Sequence, residues 1–116
     1  MLNVNELLNA FSGTEHLYRH QLSGFVYTDG VAHLAEKYEC YWLIDAVLSH
    51  QLDGRVSEED FQVWKLKRLT NFQFILVCED GNDNVITKQE IPFSDFTADE
   101  VTLYFVDETL LLPSEY

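Results

Sequence analysis

Four histidines, His16, His20, His33 and His50, are the side chains most able to bind a metal or carry protons. His16 and His20 stand four apart, which puts both on one face of either a helix or a strand. Zinc needs three or four ligands with supporting groups behind them. No HExxH and no paired cysteines accompany the histidines, so they read as ordinary surface or core residues, with no metal and no cofactor expected. Asp45 lies in the most apolar stretch of the chain, where an unpaired charge is expensive. Such a place would suit an acid catalyst. A solvent-facing stripe with Ser49 and Leu52, or a pairing with Arg19 or Arg55, accounts for it more simply. Asp80-Gly81-Asn82-Asp83-Asn84 resembles a calcium loop, but Val85 and Ile91 stand where that loop needs Gly and Glu. The run reads as a hairpin turn. The chain has no Gly-rich phosphate loop, no GxSxG elbow and no Cys–His nucleophile arrangement. No catalytic residue is assigned, and the expected class is non-enzymatic.

Charge is the stronger signal. Glu79 to Tyr116 carries ten acidic side chains against the single base Lys88, within a chain of net charge −13. Asp95, Asp99, Glu100, Asp107, Glu108 and Glu115 all follow Lys88 with no further base. A solubilising surface is the plain interpretation. The functional one is a folded polyanion that imitates nucleic-acid phosphates. B-DNA carries one charge per ~1.7 Å of axis, and carboxylates two apart on a strand lie ~6.7 Å apart. The expected partner is a basic protein surface, such as one on a nucleic-acid-handling complex. Direct nucleic-acid binding and anionic membranes are disfavoured by the shortage of Lys and Arg. Lys65, Lys67 and Arg68 gather three of the seven bases, and cross-strand pairing with acids is expected to occupy them.

These groups need elements to position them. A chain of 116 residues fits one domain able to bury its own core. Asn3 or Asn5 caps a short helix through Ala10. Thr14 to His20 suits either a short strand or a continued helix. Thr28 or Asp29 opens a helix carrying Val31, Leu34, Ala35 and Tyr38 at helical spacing. Cys40 to Leu52 is helical and apolar nearly all round, and Asp53-Gly54 stops it. Ser57-Glu58-Glu59-Asp60 resembles a capping box for one further turn. Strands follow at Phe61–Leu69, Phe72–Glu79, Asn84–Ile91, Val101–Val106 and Thr109–Leu112, joined by short turns at Thr70-Asn71, Asp80–Asp83 and Asp107-Glu108. The expected architecture is α+β: N-terminal helices packed on one face of a C-terminal antiparallel sheet of four or five strands. Cys40 and Cys78 have no motif spacing and read as buried, reduced thiols. Met1 to Phe11 lacks the features of a signal peptide, and no apolar run reaches the ~20 residues of a membrane helix. The expected compartment is the cytoplasm.

Leu17-Tyr18-Arg19-His20, Tyr27-Thr28-Asp29-Gly30-Val31, Tyr41-Trp42-Leu43-Ile44-Asp45-Ala46, Phe61-Gln62-Val63-Trp64 and Leu112-Pro113-Ser114-Glu115-Tyr116 resemble segments of a family of small bacterial proteins. That family is a domain of unknown function, often carried by plasmids and phages. The resemblance runs through nearly the whole chain and supplies no catalytic residue. It implies the setting of mobile elements, whose small acidic proteins include anti-CRISPR inhibitors that mimic DNA. Two other classes stay open. One is a homodimer, monomer otherwise, joined through an exposed sheet edge such as Thr109–Leu112. The other is a small metal-dependent enzyme using His16, His20 and Asp45.

Overall fold

Residues 16–116 are described by a computed structural model. The helix expected before Ala10 lies outside them. Chain order is β1 (Leu17–Arg19), β2 (Val26–Thr28), α1 (Asp29–Lys37), α2 (Tyr41–Ser49), a 3-10 turn (His50–Leu52), α3 (Gly54–Ser57), β3 (Phe61–Arg68), β4 (Phe74–Glu79), β5 (Val85–Ile91), β6 (Glu100–Val106), β7 (Thr109–Leu111) and a final 3-10 turn (Pro113–Glu115).

The strands form one seven-stranded sheet in the order β1-β2-β7-β6-β3-β4-β5. All neighbours are antiparallel except β2 and β7, which run parallel with Val26 opposite Thr109. This overturns the expected four- or five-stranded antiparallel sheet with helices gathered N-terminally. The helices are interspersed between β2 and β3, and the sheet is mixed. The cause is β1, β2 and the reversal between His20 and Phe25, which add an N-terminal hairpin to the sheet edge beside β7. The Thr109–Leu112 edge expected for a homodimer is also corrected. β7 is flanked by β2 and β6, so its backbone groups are already paired.

Alternation sorts the sheet's two faces. Trp64 and Leu66 of β3, Phe74, Leu76 and Cys78 of β4, and Val101, Leu103 and Phe105 of β6 point to one side. There they join Val31, Leu34, Leu43, Ile44, Val47 and Leu48 of α1 and α2 in the main core. Full burial of each such side chain contributes about 2 kcal/mol. α1 starts where Thr28 accepts the Val31 N–H. α3 starts where Asp53 accepts the Arg55 N–H, so Asp53 opens that turn, and Ser57 to Asp60 closes it instead of capping it. The β3–β4 connection is wider than a two-residue turn: Leu69 N–H donates to Gln73 O at 2.7 Å.

A buried polar network fastens α3 to the sheet. Gln62 is 1% exposed. Its Nε2 donates to Gln51 Oε1 at 2.9 Å and to Val56 O at 2.8 Å. Its Oε1 accepts from Gln51 Nε2 at 2.8 Å and from Trp64 Nε1 at 2.9 Å. Among the described residues no buried side-chain polar atom lacks a partner.

Candidate functional site

Register decides where the acids go. Phe61 pairs with Val106 and Val63 with Glu79, so the start of β3 and the ends of β4 and β6 share one end of the sheet. Glu58, Glu59 and Asp60 lead into β3 there. Glu79, Asp80 and Asp83 leave β4, and Asp107 and Glu108 turn from β6 into β7. Lys65 reaches in and is paired with Glu79 at 3.0 Å. The concentration of charge is felt by a neighbour: burial first, then Glu59, Glu79 and Asp80, push the Cys78 thiol up to about 12.

The six acids singled out from the sequence do not share this place. Asp107 and Glu108 belong to it. Asp95, Asp99 and Glu100 lie at the opposite end, where Lys67 is opposite Glu100. β6, 7 residues long, separates the two groups by roughly 20 Å at ~3.3 Å per residue. Asp99 is moreover held by Arg68 at 3.1 Å. Arg68 also donates to the Phe96 and Ala98 carbonyls at 2.7 and 3.0 Å, which makes it a clamp for the loop before β6. Glu115, half-buried, is engaged as well. Its carboxylate accepts from the Thr28 hydroxyl at 2.6 Å, Leu112 N–H at 2.9 Å and Gly30 N–H at 3.3 Å. A carboxylate at the first turn of α1 is favoured by the helix dipole. Asp95 remains exposed, near a second kind of surface: Phe72 and Phe93 stack at 5.3 Å and are both exposed.

The acidic end is also concave. A groove of about 530 Å³ is lined by Glu59, Asp60, Asp107 and Glu108. Phe25, Phe61, Phe105 and Tyr116 contribute its aromatic walls. Tyr116 is 72% exposed and sits 5.3 Å from the Phe61 ring. Carboxylates beside aromatic faces suit a cation, which gains from both. Sequence reasoning missed Glu58–Asp60 because they precede the acidic stretch by about twenty residues and rejoin it only through the pairing of β3 with β4 and β6.

The turn that presents Asp107 and Glu108 is strained. Both residues have left-handed backbones, φ 52° and 59°. A two-residue hairpin loop of this hand favours Asn-Gly. Asp107 tolerates this region, and Glu108, where the turn favours Gly, costs about 1 kcal/mol.

The histidine set separates too. His16 is exposed ahead of β1, whereas His20 is half-buried. His20 Nε2 lies 2.8 Å from Asp45 Oδ1. Asp45 therefore pairs with neither Arg19, which donates to Gly24 O, nor Arg55, which is bound to Asp53. Among the described residues no group of three His, Cys, Asp or Glu side chains could hold a metal ion. Asp80 does make the hairpin turn expected of it, accepting the Asn82 N–H at 2.8 Å and the Asn84 N–H at 3.2 Å. No described helix is long and apolar enough to cross a membrane.

These features define a mixed-sheet α and β protein with an acidic, aromatic-walled groove at one end of the sheet. The chain belongs to a family of unknown function, DUF6876, whose model matches residues 2–116. No curated protein and no solved structure matches it.

Proposed function

We propose that the acidic groove of this chain is a non-enzymatic binding site for a cationic partner. The partner is the basic surface of a nucleic-acid-handling protein, presented as a Lys- or Arg-bearing segment, and occupancy of the groove blocks that surface. One observation carries the proposal: Glu59, Asp60, Asp107 and Glu108 converge on a cavity walled by Phe61 and Tyr116. The strained Asp107-Glu108 turn supports it, because outliers of this kind cluster where a surface has work to do. The charge is gathered at one end and does not run as a ladder along a face. Insertion of a cationic segment therefore fits better than imitation of a long duplex. Carriage by plasmids or phages, and inhibition of a host defence system such as CRISPR in the cytoplasm, is the setting we propose for it.

The test is calorimetric titration with an arginine-rich peptide and with basic nucleases at several salt concentrations. Affinity is expected to fall as salt rises, since exposed charges are screened. The Glu59→Gln/Asp60→Asn/Asp107→Asn/Glu108→Gln variant is expected to lose binding, and the Glu90→Gln/Asp95→Asn control to keep it. Salt-independent affinity, or equal loss in both variants, removes the proposal.

A further inference from the structure

The geometry points to a second site: a Ser23–His20–Asp45 relay, at the mouth of an apolar cavity, that acts on esters with apolar acyl chains. The relay is built by the turn between β1 and β2. Gly24, at φ +78°, lets the chain reverse, and its N–H donates to His20 O at 2.8 Å. The reversal brings Ser23 Oγ to 2.8 Å from His20 Nδ1. On the other side of the ring, Nε2 meets Asp45 Oδ1 at 2.8 Å.

The hydrogen bonds fix the tautomer. Ser23 N–H donates to His20 Nδ1 at 3.2 Å, so Nδ1 presents a lone pair. The ring proton then sits on Nε2 and is given to the Asp45 carboxylate. Ser23 Oγ–H shares the single Nδ1 lone pair with its own backbone N–H, at 2.8 Å against 3.2 Å, and the three groups stand in the order of nucleophile, base and orienting acid. Phe25 N–H donates to Ser23 Oγ at 3.2 Å and so opposes rotation of the hydroxyl. His20 has a side-chain exposure of 12%, whereas Asp45, at 65%, meets the ring from the solvent side.

All three residues line a cavity of about 760 Å³, within the range of small-molecule sites. Phe25, Trp42, Leu48 and Ile91 supply apolar walls that match an acyl chain. Gln89 also lines it. Its Oε1 is engaged by His50 Nε2 at 2.7 Å, which leaves the amide N–H groups as donors for charge developing on a carbonyl oxygen.

The step balances without a co-reactant. Ser23 Oγ bonds to the ester carbonyl carbon while its proton passes to His20 Nδ1. The bond from that carbon to the alcohol oxygen breaks, and the same proton leaves with the alcohol. Water, deprotonated by Nδ1, then releases the carboxylic acid and restores Ser23. Asp45 is a positioning residue that holds the imidazole and offsets the charge it gains.

The experiment pairs p-nitrophenyl butyrate hydrolysis with fluorophosphonate labelling of the wild-type chain, read by intact and peptide mass. One adduct on the Ser23 peptide and hydrolysis above the buffer rate are expected. Ser23→Ala should abolish both. Asp45→Asn should lower kcat roughly a hundredfold with KM and melting temperature unchanged. An unlabelled, inactive but folded wild type overturns the proposal, as does hydrolysis that survives Ser23→Ala. Either result assigns the three groups to fastening the β1–β2 turn. The readouts are independent of salt-dependent cation binding, so this site and the acidic groove stand or fall separately.

Discussion

The Thr28 hydroxyl donates to the Glu115 carboxylate at 2.6 Å, across 87 positions of sequence. The same Thr28 oxygen caps α1 through the Val31 N–H at 3.2 Å. Residues from the two ends of the described chain thus share one hydrogen-bonded corner, with Gly30 beneath it. A Cβ on Gly30 would stand 2.7 Å from Glu115 Oε1.

That contact predicts a change of sign in a double-mutant cycle. Glu115→Ala is expected to cost about 2 kcal/mol, the scale of hydrogen bonds to a charged group. Gly30→Ala in the wild type should destabilise by displacing the carboxylate. In the Glu115→Ala background it should stabilise by up to about 1 kcal/mol, since helix propensity alone remains. Urea unfolding of the four proteins measures the coupling; additive effects would show that the carboxylate is not held where Gly30 admits it.

Gln62→Leu removes the hub that Gln51, Trp64 and Val56 share. The partners left unpaired should cost about 3 kcal/mol. The loss should also loosen α3 and weaken cation binding, because Glu59 and Asp60 follow α3 into the groove. Chemical denaturation and peptide titration read the two effects.

Glu108→Gly combined with Asp107→Asn places the favoured Asn-Gly pair in the β6–β7 turn. About 1 kcal/mol of added stability is expected from relieved backbone strain. Affinity for the arginine-rich peptide should fall at the same time, because two groove carboxylates are gone. A variant that gains stability and keeps full affinity would remove this turn from the binding surface.

Burial pushes the Cys40 thiol up to about 12, and burial with nearby carboxylates does the same for Cys78. Thiols are nucleophilic only as thiolates, so neither should react with iodoacetamide at pH 8 until the protein unfolds. The linkage has a defined sign. Unfolded thiols titrate near 8.5, and the folded ones hold their protons longer. Their contribution is present in full below about 8.5 and is lost as pH rises towards about 12. Melting temperature should therefore decline over that alkaline window. Cys40→Ala/Cys78→Ala should flatten the decline, even though it lowers stability at neutral pH.

Local chemistry was legible in the sequence where a pattern repeats. Thr28 announced the cap of α1, Val31 and Leu34 its buried stripe, and Asp80-Gly81 the β4–β5 turn. Val26–Thr28 was not legible as a strand. Three residues carry no period, and the last of them already serves as a helix cap. Its partner in β7 is parallel and distant, so no turn signal connects them. The acids show the same limit from another side. Asp99 and Asp107 are near in sequence, but β6 carries them to opposite ends. Glu59 is far from Asp107 in sequence, yet pairing brings both to one groove. His20 and Asp45 meet only because the β1–β2 hairpin is laid beside α2.

The parallel pairing of β2 with β7 also sets a schedule. On a ribosome, the hairpin made early has no sheet to join until residue 111 has emerged. The antiparallel strands β3 to β6 are able to assemble first, because their contacts are closer in sequence. Newborn chains are therefore expected to pass through an interval in which the β1–β2 hairpin has no β7 to pair with. Crowded polysomes would be the setting most prone to mispairing between copies.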